Sequence, residues 1–342
     1  MSAAPITTEI LNFFADWRPA KALARHLPQF NASSLQQAIA GLLRVHLLES
    51  SYAPRDKKER VFSGWESWGP AASFFHFSTK DTNAPTEPED SIRDLRRRAR
   101  AKSMPAAVKS YPRSAQIVLP APQVAHDLPR ALLERRTWRK FAPGPIELHR
   151  LATLLGLTFG VQQWVELEGV GRVALKTSPS GGSRHPMEAY VAATSVNGLR
   201  RGLYHYDSAM HRLELLRKGA TPAQITRYLN GQWWFGGAGA VVLMTAVFSR
   251  TQWKYHAPRA YRAVLIEAGH LCQTFCIVAT WLGLAPFCTM ALADSRIERD
   301  LGIDGVNESV IYVAGVGVRP EKADWAPWPD RTYGKRVPNL AR

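Results

Sequence analysis

The stretch from 258 to 284 would be apolar on most sides if it formed a helix. Such a helix has no broad polar face to turn toward water, so other elements must cover most of it. Runs rich in β-branched residues lie on either side of it, "AVVLMTAVF" at 240–248 and "SVIYVAGVGV" at 309–318, and predict strands. We therefore expect an α+β fold with a mixed central sheet, flanked by helices, around a buried long helix.

The rest of the chain suggests three regions. Residues 1–60 contain three short amphipathic helices and resemble a winged-helix module. Residues 61–125 are polar and proline-rich, and we interpret them as a linker with one short helix. Residues 126–330 contain the predicted sheet, with a strand at 187–196 and a hairpin whose turn runs from Asp207 to Met210.

Charge and composition restrict the function classes without choosing one. The chain has 44 basic and 28 acidic residues, a formal net charge of +16, which would attract phosphates, acidic peptides or nucleic acid. The third N-terminal helix has only Gln36, Gln37 and Arg44 as polar side chains for contacts with DNA bases. We therefore do not expect nucleic acid as a partner. The apolar stretches are too short or too interrupted for a membrane span, and no secretory signal is visible.

The three cysteines are too few for a disulfide framework and form no CxxC pair. This usage suits a reducing compartment, so we expect a cytoplasmic protein. Cys272 and Cys276 lie four residues apart on the predicted long helix, near His270, and we interpret them as core packing. We expect no metal site.

Glycines and hydroxyls are concentrated in "TSPSGGSRHPMEAYV" at 177–191. Gly181 and Gly182 indicate either an unusual backbone angle or a flat ligand lying close to the main chain. An ordinary loop before a strand is the competing interpretation, because Gly and Ser are common in turns. The sequence of this segment alone leaves both open.

A second polar group lies in "RRTWRKF" at 135–141. Arg135, Thr137 and Arg139 alternate, so in an extended segment they project to one side. Two guanidinium groups and a hydroxyl suit a phosphate, although an exposed basic strand is equally compatible. Arg319, after the last predicted strand, could add a further cation.

Taken in order, these segments, together with "RAYRAVLIEAGHLCQTFCIVATWLGLAPF" and "VIYVAGVGVRP", resemble the nitroreductase superfamily and its SagB-type dehydrogenase branch. The resemblance covers about 126–320 and implies a nitroreductase-like domain that binds FMN. It also implies a homodimer with FMN at the interface, built partly from both chains. The implied cofactor-binding residues are Arg135, Thr137, Arg139, Ser180, Gly181, Gly182, Ser183, His185, Gln273, Thr289, Met290 and Arg319.

The resemblance also assigns catalytic roles. Lys254 and Tyr255 in "TQWKYHAPRAYR" match the Lys-Tyr signature of SagB-type azoline oxidases, with Lys254 as base and Tyr255 as proton relay or orienter. A neutral lysine, favoured by burial or by nearby cations, could accept a proton while a hydride leaves for the flavin. One departure from the family pattern is that Met290 and Ala291 stand where relatives commonly have two glycines.

The leading hypothesis is thus an FMN-dependent dehydrogenase that oxidises an azoline in a peptide-derived substrate to an azole. The N-terminal module would bind the leader of a precursor peptide by adding a strand to its wing. One alternative is an NAD(P)H-dependent nitro- or quinone reductase of the same fold. Another is a DNA-binding regulator in which the flavin domain senses redox state.

Overall fold

The computed structural model describes residues 6–45, 47–51, 63–81, 126–168 and 171–321, and positions 90, 93, 96, 97 and 100. The helices are α1 (Ile6–Phe13), α2 (Ala20–His26), α3 (Ala32–Arg44), α4 (Gly69–Ser78), α5 (Asp127–Glu134), α6 (Leu148–Phe159), α7 (Pro222–Tyr228), α8 (Phe248–Gln252), α9 (Tyr261–Trp281) and α10 (Asp294–Leu301). The strands are β1 (Ile146–Glu147), β2 (Gln163–Leu167), β3 (Gly171–Leu175), β4 (Met187–Ala193), β5 (Val196–Asn197), β6 (Gly202–Asp207), β7 (Arg212–Lys218), β8 (Ala240–Val247), β9 (Leu284–Thr289) and β10 (Glu308–Val318).

The three predicted N-terminal helices form a small core of their own. Ile10, Leu11 and Leu23 are fully buried in it, because each helix places its apolar residues three and four positions apart. The Asn31 side chain caps α3 by accepting a hydrogen bond of 2.7 Å from the Ser34 N–H. Residues 52–60 of the predicted winged-helix-like module lie outside the described residues.

The segment interpreted as a linker contributes to the main core. Trp65 and Trp68, in a 3₁₀ turn before α4, are 3% and 0% exposed. The indole of Trp65 donates to the Val306 carbonyl at 2.8 Å, and that of Trp68 to the Tyr255 carbonyl at 3.0 Å. Prolines and charged residues dominate the composition of the segment around this turn. The two buried indoles nevertheless provide enough apolar area to hold the turn on the core.

The central sheet has six strands in the order β7-β6-β4-β8-β10-β9. Its neighbouring strands all pair antiparallel, so the prediction of a mixed sheet is corrected in this respect. Among the described strands, the parallel pairing is that of the short β1 with β5. The strands predicted at 187–196, 240–248 and 309–318 are present. The predicted hairpin turn is fixed by the Asp207 carboxylate, which accepts hydrogen bonds from the N–H groups of Ala209 and Met210.

Strand β8 is the centre of the sheet and is covered on both faces. Val242 and Met244 pack with residues of α9. Val241 and Leu243 belong to a second core with Ile225 of α7 and other residues of α7 and α10. Burial on both faces explains why β8 is a continuous apolar run instead of an alternating one.

The long helix is present as α9, but it is not covered on every side. Its inner face packs on the sheet, whereas Ile266 is 57% and Trp281 50% exposed. The buried long helix of the prediction is therefore buried on its inner face and open on the other side in the single chain. Helix α9 with its preceding turn, Pro258–Trp281, is long and apolar enough to cross a membrane, but half of it is buried inside the protein, as in a core helix.

Candidate functional site

The sheet brings the glycine-rich loop and the Lys-Tyr pair to one place. Met187, at the start of β4, pairs with Ala246, near the end of β8. The loop that precedes β4 and the segment that follows β8 therefore emerge at the same edge of the sheet. This register places Gly182 beside Lys254 and Tyr255, although they are far apart in sequence.

The loop contains an unusual concentration of left-handed backbone. Gly182 has φ 63°, and the non-glycine residues Ser183 and His185 have φ 53° and 42°. Each non-glycine residue in this region is strained, by about 1–3 kcal/mol. Strain of this kind persists where surrounding contacts hold the chain in place, and it clusters at functional sites.

A side chain on Gly182 would require Lys254 and Tyr255 to move. A Cβ on Gly182 would lie 2.6 Å from both Cδ and Nζ of Lys254 and 2.8 Å from the hydroxyl oxygen of Tyr255. At Gly181 the corresponding contacts are ordinary, 3.7 Å to Ala263 and 3.8 Å to the Tyr255 ring. The two predicted catalytic residues thus lie directly against one of the predicted loop glycines.

The Lys-Tyr pair is open to solvent on one side. Lys254 is exposed and Tyr255 half-buried, and the Lys254 ammonium lies 5.6 Å from the centre of the Tyr255 ring. The burial of Lys254 that the sequence-based mechanism invoked is not provided by this single chain. The backbone is nevertheless anchored, since the Tyr255 carbonyl accepts from the Trp68 indole and its N–H donates to the Thr251 carbonyl.

Several hydrogen bonds hold the strained loop. The Ser180 hydroxyl accepts from the His185 N–H at 2.9 Å, and the His185 ring bonds the Ala174 carbonyl at 3.0 Å. Arg250 of α8 donates to the His185 carbonyl at 2.9 Å and forms a salt bridge with Glu188. Ser180 and His185, predicted as cofactor ligands, therefore support the loop within this chain.

Buried charged groups lie behind the loop. Burial raises the pKa of Glu267 to about 7, against the opposing effects of the Ser180 hydrogen bond and of Lys176. Burial, followed by the charge of Lys176, lowers the pKa of His185 to about 4. The Glu267 carboxylate and His185 Nδ1 are 3.8 Å apart, so a neutral imidazole faces a carboxyl group that titrates near neutrality.

The predicted phosphate clamp has the expected alternation. Arg135, Thr137 and Arg139 are half-buried in an extended segment, and Trp138 between them is buried. The Trp138 N–H donates to the Pro286 carbonyl at 2.9 Å, which fixes this segment beside β9. The donors thus remain accessible from one side, as a phosphate ligand requires.

Arg319 joins this clamp. Its guanidinium lies 5.2 Å from the centre of the Trp138 ring and 3.7 Å from the Glu134 carboxylate. The pairing of Ala142 with Val318 brings the end of β10 to the clamp segment. Two segments that are far apart in sequence therefore contribute cations at one end of the sheet.

The clamp and the glycine-rich loop are not brought together within one chain. Arg319 follows the end of β10, next to the start of β8, since Val316 pairs with Ala240. The glycine-rich loop lies at the other end of β8. An eight-residue strand spans about 25 Å, so the chain presents two half-sites.

The other predicted cofactor residues are spread between these half-sites. Thr289 exchanges hydrogen bonds of 3.1 and 3.2 Å with the Gln232 side chain. Met290 is 73% exposed, as is expected where bulkier residues replace glycines at a ligand surface. Gln273 of α9 is exposed.

Sequence reasoning missed Arg250 and Lys176. Neither lies in a recognisable motif, and both act through loop residues that the tertiary structure brings to them. The one local signal was the position of Arg250 shortly before the Lys-Tyr pair. The sequence also gave no reason to group Cys288 with Cys272 and Cys276 of α9.

The half-sites fit a flavin mononucleotide in their donor chemistry. Half-buried arginines around a hydroxyl suit its phosphate, and an accessible loop of small and hydroxyl-bearing residues suits its planar and polyol parts. Both features belong to this chain.

Comparison with known proteins gave a family match and distant relatives. The sequence model of the nitroreductase family matches residues 132–318, more than half of the chain. The chain is 28% identical over 173 residues to the trifolitoxin-processing protein TfxB of Rhizobium leguminosarum bv. trifolii, covering 49% of this chain and 46% of TfxB. It is 28% identical over 172 residues to "Putative nitroreductase MJ1384" of Methanocaldococcus jannaschii, covering 50% of this chain and 82% of that protein.

Among solved structures, one similar chain comes from the microcin synthetase McbBCD complex of E. coli with truncated pro-MccB17 bound. The identity is 18%, the TM-score 0.49, and the alignment covers 70% of this chain and 95% of the other. The chain spans less than half of the length of TfxB.

Proposed function

Because the chain belongs to the nitroreductase family, we propose that it is an FMN-dependent oxidoreductase of the SagB type, which dehydrogenates an azoline in a peptide-derived substrate to an azole. The observation that carries this proposal is the close approach of Lys254 and Tyr255 to Gly182 in a strained loop. The name of TfxB, a processing protein for trifolitoxin, agrees with a role in peptide modification.

The reaction removes a hydride and a proton from neighbouring atoms of the azoline ring. FMN, when bound, supplies the hydride acceptor. The Lys254 amine accepts the proton at Nζ, and Tyr255 orients the ring or relays the proton through its hydroxyl. Both side chains lie against Gly182, and this contact restricts their positions. A base must be held in a defined position when the proton is transferred.

The cofactor would be held by both half-sites. Arg135, Thr137, Arg139 and Arg319 bind the phosphate through charge-assisted hydrogen bonds. The loop Ser180–Ser183, with Thr289 and Met290, lies beside the ring system. His185 and Ser180 keep this loop in its strained conformation through the bonds described above.

A homodimer would join the half-sites. Within one chain the clamp and the loop lie at opposite ends of β8, so a partner's loop is needed to complete the site around a clamp. An apolar surface supports this arrangement: Leu128 and Leu132 of α5 are 61% and 47% exposed, and Ile266 of the adjoining α9 is 57% exposed. Contiguous exposed apolar surface of this kind marks an interface.

The dimer can be tested by light scattering of the purified protein. Ile266→Glu places a charge on this surface and should give a monomer with reduced flavin content. Exposed Met210→Glu, on the β6–β7 turn, is the matched control and should remain dimeric. A dimer that survives Ile266→Glu would place the interface elsewhere.

The N-terminal module would bind the leader of the precursor peptide. The net charge of +16 favours an acidic leader. Binding of a fluorescent acidic leader peptide to the full chain should weaken as salt rises. Equal binding of a scrambled peptide of the same composition would contradict sequence-specific recognition.

The catalytic assignment is tested with a synthetic thiazoline peptide, with turnover measured as the loss of two hydrogen masses. Lys254→Ala and Tyr255→Phe should lower turnover by about 100-fold or more, the size of a general acid–base contribution, with flavin content unchanged. Lys218→Ala, at an exposed position on β7, is the control and should act as wild type. Normal turnover in both active-site variants would refute the assignment.

A nitro- or quinone reductase activity is the second candidate, because one relative carries a nitroreductase name. It predicts that NADH or NADPH reduces the bound flavin rapidly. The SagB-type proposal predicts that neither does so, and that the azoline peptide does.

A further inference from the structure

The three cysteines of the chain converge at one point of the core. Cys272 and Cys276 lie one turn apart on α9, and Cys288 reaches them from β9, which packs against that helix. The three sulfur atoms all lie within 4.8 Å of one another. Sequence spacing showed only the pair on the helix, so the third member is a product of the tertiary structure.

This cluster has polar surroundings that ordinary apolar packing does not need. The Tyr312 hydroxyl of β10 donates a hydrogen bond of 3.5 Å to the Cys288 sulfur. A hydrogen-bond donor directed at the sulfur of Cys288 is the kind of outer partner that a metal-bound thiolate uses.

The dimensions fit a thiophilic cation. Zinc binds thiolate sulfur at about 2.3 Å, which places the sulfur atoms of a tetrahedral site about 3.8 Å apart. Atoms already within 4.8 Å reach this spacing with small rotations of the side chains. Three thiolates around Zn²⁺ leave one net negative charge.

One member of the cluster is not fully buried. Cys272 and Cys276 are buried, whereas Cys288 is half-buried. Water reaching the site beside Cys288 would complete a tetrahedral set. Tyr312 would act as the outer hydrogen-bond partner that orients the Cys288 ligand.

We propose that Cys272, Cys276 and Cys288 form a tri-thiolate binding site for a single Zn²⁺ ion. Binding replaces the three S–H protons with zinc–sulfur bonds and releases the protons to solvent. The site lies beside the Arg135 segment and contains no residue assigned to proton transfer, so it does not depend on the proposed reaction. It replaces the sequence-based expectation of no metal.

The first experiment uses the wild-type full chain with its flavin, purified under reducing conditions and freed of metal with a chelator. Zn²⁺ is then titrated against a chromophoric competitor. We expect one tightly bound Zn²⁺ per chain, release of protons into a weakly buffered indicator solution, and protection of the three thiols from a thiol reagent. Failure to compete for Zn²⁺, with all three thiols equally reactive in its presence, would overturn the proposal without any variant.

Variants then identify the ligands. Cys288→Ala should weaken zinc binding by at least about 100-fold, and Tyr312→Phe, which removes only the outer hydroxyl, by about 10-fold. Tyr190→Phe is the matched control: it removes a hydroxyl that donates to Glu308 at 3.0 Å, elsewhere on the same sheet, and should leave zinc affinity unchanged. Wild-type affinity in Cys288→Ala would assign the ion to another site and overturn the proposal.

Discussion

Substitution of the two loop glycines tests the geometry of the candidate site most finely. Gly182→Ala adds a methyl group where Lys254 and Tyr255 lie, at 2.6 and 2.8 Å, whereas Gly181→Ala adds one with contacts no closer than 3.7 Å. The same chemical change is therefore disruptive at one position and tolerated at its neighbour. The pair forms a matched experiment within one loop.

The magnitude follows from the distances. To reach an ordinary contact of about 3.4 Å, the Tyr255 hydroxyl must move by about 0.6 Å and the Lys254 side chain by about 0.8 Å. A misplacement of about 1 Å can cost about 100-fold in rate, so Gly182→Ala should lower turnover by about 10- to 100-fold. The left-handed φ of 63° at Gly182 adds a destabilisation of about 1 kcal/mol, a fall in melting temperature of about 2–4 °C.

The assay is turnover of the thiazoline peptide, with flavin content and melting temperature measured on the same samples. Gly181→Ala should retain wild-type turnover and stability. Equal rates in the two variants would refute the reasoning. So would a slow Gly182→Ala variant whose loss is accounted for entirely by missing flavin.

Three further predictions concern charge. The double variant Arg135→Ala/Arg139→Ala should lose bound flavin while remaining folded. Arg136, which is exposed between these two residues, provides the control, because Arg136→Ala should keep its flavin. A double variant that is still fully loaded with flavin would contradict the phosphate clamp. Burial raises the pKa of Glu267 to about 7, so the wild-type protein should lose folding stability as pH rises from about 4.5 through 7. Glu267→Gln should be more stable than wild type by about 1–3 kcal/mol at pH 8 and equally stable near pH 4. Urea unfolding at the two pH values measures the difference. The His205 ring donates hydrogen bonds to Glu188 and Glu214, which raises its pKa to about 9. Its contribution to stability, present below pH 6.5, should therefore be lost as pH rises through 9. Because the ring is partly exposed, about 1–2 kcal/mol of pH dependence should disappear in His205→Gln, and an unchanged pH profile would contradict the pairing.

Much of the fold was predictable because its strongest elements have local signals. The apolar run of β8, the β6–β7 hairpin and the long helix α9 each carry a periodicity or turn chemistry that does not depend on the rest of the chain. The contribution of Trp65 to the core was not predictable, since its segment is polar overall. The exposed side of α9 was also missed, because composition does not distinguish a face covered by the sheet from one left open.

For the candidate site, the sequence suggested members but not their arrangement. The residues of the clamp and of the Lys-Tyr pair were identified from motifs and resemblance. Their separation into two half-sites depends on the register of β4, β8 and β10, which sequence alone does not give. The same limit hid Cys288, since only the packing of β9 on α9 brings it to the other cysteines.

The central claim is that this site oxidises an azoline by passing a hydride to a bound flavin. The most direct measurement is the visible flavin absorbance of the FMN-loaded protein, mixed without oxygen with a thiazoline peptide or with NADPH. The proposed function predicts rapid bleaching by the peptide, one azole formed per flavin, and little change with NADPH. Bleaching by NADPH while the peptide leaves the spectrum unchanged would contradict it.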